Sequence, residues 1–280
     1  MKKNFGRILE QGKRRYRLYT AKMRLLPDFV IIGAQKCGTT FLHQLLQKHP
    51  CVRAAPGKAV HYFDCHFQEG MNWYRAHFPY RMEKVYEQYL KKRPMLTGES
   101  SPYYLFHPHA ARRMAATVPN VKLIALLRNP VDRAYSHYNH ERRKGREELS
   151  FEEAIAAEEQ RLDGERDKML EDQSYESVHH LRHSYVQRGI YVDQLQAFAE
   201  VFESTRFFII HSEELYEQPL QVFGELLEFL DLPPWVPGDI RPVHVGSYQT
   251  MNAETRKQLQ EFFEPHNQRL YSYLGRDFGW

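Results

Sequence analysis

Apolar residues along this chain fall into two patterns. Short continuous runs occur at Phe29–Ile32 (FVII), Val121–Leu127 (VKLIALL) and Arg206–His211 (RFFIIH), with a weaker one at Leu96–Ser101. Runs this short, rich in β-branched and aromatic residues, predict strands covered on both faces, as in a parallel sheet. Between them the spacing becomes helical: Phe41, Leu42, Leu45 and Leu46; His107 to Val118; a helix opened by Pro130 and carrying Tyr135, Ser136 and Tyr138; Tyr185 to Phe202; Pro219 to Leu230; and Asn252 to Leu274. A short aromatic helix is expected around Asn72–Phe78, a polar one from Met82 to Lys92, and a short strand at Val52–Pro56. Glu99 falls just past a strand end, with Pro102 at a turn. Strands alternating with helices predict a single α/β domain around a parallel, doubly wound sheet, with ligands at the carboxyl ends of its strands. From Leu162 to His183 the chain is poor in apolar residues and reads either as a mobile lid or as a plain solvated helix.

The loop after Phe29–Ile32 carries the first candidate chemistry. Gly33 to Thr40 reads GAQKCGTT, with two glycines, a lysine and two hydroxyls just before a helix. Strand, loop and helix in this order aim backbone N–H groups and a helix N-terminus at one point, which attracts a phosphate. An ATP-type loop would read GxxxxGK[ST]. Here Lys36 precedes Gly38 and the loop is one residue shorter. At the far end of Val121–Leu127 sit Arg128 and Asn129, a second polar strand end able to meet an anion.

Composition narrows the class only a little. A length of 280 residues suits one substantial core, and a net charge of +4 fits an anionic ligand without pointing to nucleic acid. Cys37, Cys51 and Cys65 are odd in number and lack metal-ligand spacing, so neither a disulfide framework nor a zinc site is expected. No apolar run reaches the length of a membrane span and Met1–Leu26 lacks the apolar middle of a secretory signal, from which a cytoplasmic protein is expected. Residues 1–27 form a separate basic arm with nine Lys and Arg against Glu10. The arm reads either as a solvated helix packed on the domain or as a docking surface for an acidic partner, such as a carrier protein, or an anionic membrane.

Taken in order, these pieces resemble the sulfotransferase family from Asp28 to Trp280, closest to the branch with heparan sulfate and related bacterial sulfotransferases. The resemblance implies a P-loop-like fold over residues 28–280 and in-line transfer of a sulfuryl group from 3′-phosphoadenosine 5′-phosphosulfate (PAPS) to an acceptor hydroxyl or amine, with no metal required. It assigns the 5′-phosphosulfate to Gly33, Gln35, Lys36, Cys37, Gly38, Thr39 and Thr40, with Lys36 as the cation facing the leaving oxygen. LLRNPVDRAYSHY assigns the 3′-phosphate to Arg128 and Ser136, and Gly246, Ser247 and Tyr248 form a candidate second wall for that phosphate and the adenine. RGIYVDQL, SEEL and the tail from VGSYQTM onward also look like family signatures.

Two positions depart from the family. Where the branch reads KEVHFFD, with glutamate as the base, this chain reads Lys58, Ala59, Val60, His61, Tyr62, Phe63, Asp64. Alanine takes no proton. Either the base has moved, with His61 the best candidate because it stands two residues on and on the same side of an extended segment, or the protein binds cofactor with little turnover. Ser100 stands where the related EKSPAYF has lysine, and Glu99 reads as a structural acceptor. Tyr62, Phe63, Trp73 and Tyr74 divide between core and an apolar acceptor pocket. The expected acceptor is an intracellular small molecule, lipid-like alcohol or carrier-bound acyl chain rather than a Golgi glycan. An ATP- and magnesium-dependent phosphotransferase is the competing class.

Overall fold

The computed structural model describes residues 2–55, 57–238 and 249–280, with side chains from residue 11 on within those spans. Four strands form from the apolar runs: β1 (Phe29–Gly33), β2 (Gly98–Ser100), β3 (Lys122–Leu127) and β4 (Phe207–His211). All pair in parallel in the order β2-β1-β3-β4. Val30 stands opposite Glu99 on one side and Leu123 on the other, and Leu123 opposite Phe207. Every residue of β1 is buried, and all but the first of β3, which is why these runs show no alternation.

From β1 the chain passes to β2 on one side and then returns to β3 on the other. The order therefore reverses between β1 and β3, the switch point beyond whose carboxyl ends sheets of this kind form a ligand crevice. Both polar strand ends of the sequence meet there. The Thr39–Lys48 helix packs on β1 and β2, the Pro219–Phe229 helix on β4, and the long Ala253–Leu274 helix on the Pro130–Arg143 and Tyr191–Ala199 helices. The result is one α/β domain with a central four-stranded parallel sheet.

Three local expectations change. Val52 makes only a single bridge to Leu96; Arg53 and Ala55 donate to the Leu96 and Gly98 carbonyls at 2.8 and 2.9 Å without forming a strand, and Pro56 lies outside the described residues. Glu99 lies within β2, not past its end. The Leu162–His183 stretch is neither a free lid nor one solvated helix. It forms short helices, Glu165–Glu171 and Val178–Arg182, fastened by many polar contacts as well as by buried Met169 and the Phe106–His180 stack. Arg113 donates to the Gln173 carbonyl at 3.0 Å and to those of Phe63 and Asp64, His109 bonds the Met169 carbonyl, and Arg188 the carbonyls of His180 and Leu181.

At Gly98 a Cβ would lie 2.4 Å from the Phe29 ring, inside the β1–β2 pair. Gly98→Ala is expected to cost about 1–3 kcal/mol through overpacking. Urea midpoints check this: the loss should shrink when Gly98→Ala is made in a Phe29→Leu background, and equal losses in both backgrounds would contradict the steric cause.

Candidate active site

The β1 loop is shaped by two left-handed residues. Lys36 has φ 72° and Gly38 φ 90°, and a Cβ at Gly38 would come within 2.9 Å of the Tyr216 hydroxyl. Glycine is needed there both for the dihedral and for the close approach. Ala34 donates to the Leu126 carbonyl of β3 at 2.8 Å, and the Cys37 carbonyl accepts from the Ser212 hydroxyl at 2.7 Å. Cys37 turns its thiol into the interior, 3.7 Å from the Tyr191 hydroxyl, and burial pushes that thiol up to about 11. Its side chain is a plug under the loop, so only its backbone is left to face a ligand. Gln35 accepts from Arg188, a fully buried guanidinium stacked 5.0 and 4.9 Å above Tyr103 and Phe106.

At the end of β3, the Arg128 guanidinium approaches the Lys36 carbonyl at 3.5 Å, bringing together residues 92 positions apart. Tyr191 donates to the Arg128 carbonyl at 2.8 Å, and the Asn129 N–H donates to Glu213 at 3.1 Å. Asn129 also caps the Pro130–Arg143 helix, accepting from the Val131 N–H at 3.0 Å. Ser136 is buried on that helix.

The crevice gathers positive charge. Lys36 is held down to about 8, first by burial and then by the charges of Arg143, Arg128 and Lys144. Lys58 reaches back from an exposed turn to the Thr40 hydroxyl, and burial of its ammonium followed by repulsion from Lys36 holds it near 8 as well. Two partly desolvated lysines repelling one another are the donor set an anion would relieve.

The segment after Lys58 is not extended. Ala59 (φ 62°) and His61 (φ 55°) are both left-handed, so strand alternation does not place positions 59 and 61 on one side. The turn is closed by the His66 N–H on the His61 carbonyl at 2.8 Å and hung from β2 by a buried carboxylate. Glu99 accepts from Ser101 at 2.6 Å, Tyr104 at 2.9 Å and Tyr74 at 3.1 Å. Ser101 and Tyr104 in turn accept from the N–H groups of His61 and Tyr62, at 3.0 and 2.7 Å. His61 Nδ1 bonds Asp64 Oδ2 at 2.7 Å. Burial pulls the imidazole down, but the hydrogen bond and charge of Asp64, with Glu99 and Glu176, outweigh it and the net shift is upward. In the neutral ring a carboxylate at Nδ1 keeps the proton there and leaves Nε2 its lone pair, while the upward shift extends the doubly protonated form to higher pH. His61, Asp64 and Cys65 also bring ligand atoms within 4.8 Å of one another, a grouping able to hold a metal, although Asp64 is engaged by His61 and by the Cys65 N–H.

The fold thus brings Gly33, Gln35, Lys36, Cys37, Gly38, Thr39, Thr40 and Arg128 to one crevice, with Ser136 on the helix that leaves it. His61 and Ala59 stand on the β2 side, linked to the crevice through Lys58 and Thr40. Gly246, Ser247 and Tyr248 lie outside the described residues. Tyr62, Phe63 and Tyr74 are buried in one aromatic stack, which makes them core, while Trp73 is half-buried against His77. Sequence reasoning passed over Ser212, Glu213, Arg188, Tyr191, Ser101 and Asp64 as working parts. Its signals were the RGIYVDQL and SEEL signatures, which now have physical content as clamps on the two loops.

Comparison with known proteins gives the family. The family model for the sulfotransferase domain matches residues 26–261. The chain is 29% identical to the membrane-associated sulfotransferase kil1 of Dictyostelium discoideum, covering 92% of this chain and 67% of that one. It is 28% identical to mouse heparan sulfate glucosamine 3-O-sulfotransferase 3A1, covering 91% and 64%; the chain spans about two thirds of the length of such relatives. A solved sulfotransferase from Alicyclobacillus acidocaldarius is 33% identical, with TM-score 0.68 over 90% of this chain and 97% of that one. The expectation of a cytoplasmic protein does not stand, because a relative over nearly the whole chain is membrane-associated. That expectation rested on the lack of a signal and of a spanning helix; no described helix is long and apolar enough to cross a membrane, but attachment to a bilayer surface needs none. The family match over most of the chain, joined to a solved relative sharing its fold and a third of its residues, shows that this chain belongs to the sulfotransferase family.

Proposed function

We propose that this chain transfers a sulfuryl group from PAPS to an acceptor hydroxyl or amine. The observation that carries the reading is the meeting of the Lys36 and Arg128 loops at the point where the strand order reverses, which suits a ligand with phosphates at both ends of its ribose. The donor set fits: cations and hydroxyls crowd the crevice, and the charges acting on Lys36 there are mostly positive. PAPS, when bound, supplies an activated sulfuryl group attached to a leaving phosphate. Lys36, with Lys58 and the Gly38–Thr40 backbone, neutralises charge at the 5′ end, while Arg128 and Ser136 hold the 3′-phosphate. Residues 28–280 then make up the transferase domain and 1–27 an appended arm. The names of the heparan sulfate relatives favour a glycan acceptor over the smaller alcohols first expected.

His61 is the proposed base. Asp64 fixes its proton on Nδ1, and Nε2 accepts the acceptor proton. A second reading, cofactor binding with little turnover, draws on Ala59 at the position of the usual glutamate.

Calorimetry with adenosine 3′,5′-bisphosphate tests the class. Tight binding of the bisphosphate is expected, and magnesium-dependent ATP binding with no response to the bisphosphate would falsify it. Arg128→Ala should weaken bisphosphate binding by about 1.5–3 kcal/mol, whereas Lys36→Ala should mainly lower kcat.

Bisphosphate affinity should be level between pH about 7 and 8, above the second ionisation of the ligand's own phosphates at about 6, and decline above 8, because Lys36 and Lys58 each titrate near 8 and must be charged to hold an anion. The decline should approach about tenfold per pH unit for each lysine that has lost its proton. In the unloaded protein the sign is opposite: folded values below the unfolded 10.5 mean a charging penalty that is full below about 8 and relieved between there and 10.5. Affinity that stays level to pH 10 would contradict the assignment of both lysines.

Ala59→Glu should raise kcat by about 10²–10⁴ without tightening bisphosphate binding. If His61 is already an efficient base, kcat of the unaltered chain should rise with pH through a value above 6.5, and His61→Ala should abolish it. No labelled sulfate transferred to any phenol, alcohol, amine or glycan by either form would favour the binding module.

A further inference from the structure

The Arg81–Val85 helix continues directly into a π-helical turn, Tyr86–Leu90. Its charged residues led to its being read as a polar helix, yet Met82, Val85, Tyr86, Tyr89 and Leu90 are all exposed, at spacings that keep them on one side. Leu90 is 73% exposed, and Met82 and Tyr89 68% each. The residue this turn buries is an acid. Glu87 faces inward and is met by Arg93 at 2.5 Å, Lys91 at 3.5 Å and Arg53 at 3.8 Å. The turn is therefore inverted, with charge inside and apolar side chains outside, and contiguous exposed apolar surface of this kind marks an interaction site.

Its surroundings are basic. Arg81, Lys84, Lys91, Lys92 and Arg93 flank the ridge. Glu87 is engaged as above and Glu83 by the Tyr80 N–H at 2.8 Å; Lys91 and Arg93 answer Glu87 and Lys84 pairs with Asp28 at 2.7 Å, which leaves the balance of the rim positive. The ridge adjoins the end of the basic Lys2–Tyr19 helix: Arg24 stacks 4.0 Å over Tyr80, Tyr80 bonds Thr20 at 3.1 Å, and Leu25 donates to the Pro79 carbonyl at 3.0 Å. That end exposes Tyr16, Tyr19 and Met23 in its turn.

We infer that this corner of the molecule docks on an anionic lipid bilayer, the apolar ridge entering the boundary between headgroups and acyl chains and the basic residues resting on lipid phosphates. Tyrosine, methionine and leucine ringed by lysine and arginine are the composition of an interfacial helix. A sulfated polysaccharide would answer the charge but gain nothing from Met82, Tyr89 and Leu90. A second copy would bring like charge against like charge.

Co-sedimentation of the full chain with vesicles of phosphatidylcholine, with and without phosphatidylserine, tests this. Binding should require phosphatidylserine and be released by high salt. The double variant Met82→Glu, Leu90→Glu should bind at least about tenfold more weakly, and neutralising Lys91 and Lys92 to Gln should cost about fivefold per charge. Affinity for adenosine 3′,5′-bisphosphate should be unchanged in all of them, since none touches the crevice. Failure of the full chain to bind phosphatidylserine vesicles would overturn the inference, as would binding indifferent to Met82→Glu, Leu90→Glu. So would a chain that ignores vesicles but is retained on poly-glutamate or heparin through these side chains, or a dimer that the double variant dissociates.

Discussion

Like charges held close together form the constraint around which this crevice is arranged. Lys36, Lys58 and Arg128 converge where β1 and β3 part, with Arg143 and Lys144 near enough to act on Lys36. Left alone, such a crevice would spread apart. It is held by contacts from behind that carry no opposing charge to the ammonium groups: Ser212 on the Cys37 carbonyl, Tyr191 on the Arg128 carbonyl, and Arg188 on Gln35. Each of these clamps grips backbone or a neutral amide. The cost is carried by the buried strands β1 and β3 and their covering helices, whose apolar burial is the dominant favourable term in such a domain. A bound anion would relieve the repulsion between Lys36 and Lys58 that the folded chain already holds.

The β2 side is built on the opposite principle. There the central charge, Glu99, is wholly buried and fully answered by three hydroxyl donors. Two of those hydroxyls pass the order on to the N–H groups of His61 and Tyr62, so a carboxylate inside the sheet sets the conformation of the turn that carries the proposed base. The left-handed angles at Ala59 and His61 persist because this network determines them from several directions at once. The two departures from the family, Ala59 and Ser100, flank this arrangement: the Ala59 N–H donates to the Ser100 carbonyl at 2.9 Å, and the buried Ser100 hydroxyl finds no hydrogen-bond partner among the described residues. The His61–Asp64 pair stands beside both.

The apolar runs at Phe29–Ile32, Val121–Leu127 and Arg206–His211 fixed β1, β3 and β4 to within a residue or two, because a strand covered on both faces leaves no choice of pattern. GAQKCGTT declared its loop through Gly38, which alone tolerates the Tyr216 hydroxyl so close. Arg128, Asn129 and Pro130 likewise announced a strand end and a capped helix. Local chemistry was enough for these, since each depends on neighbours in sequence. The helix expected over Met82–Lys92 forms, but which side of its Tyr86–Leu90 turn faces the protein depends on Arg53, far away in the chain.

What the sequence by itself determined, then, was the identity of the strands, the two polar loops that end them, and the residue types able to meet phosphates. Tertiary structure alone decided that the loops lie side by side, that Arg128 reaches Lys36, that Glu99 governs the turn at His61, and that Tyr62, Phe63 and Tyr74 are core. These contacts join residues whose separation along the chain is set by the strand order β2-β1-β3-β4. Periodicity reports which face of an element is covered; it holds no record of which distant element covers it, and the chemistry here lies between elements.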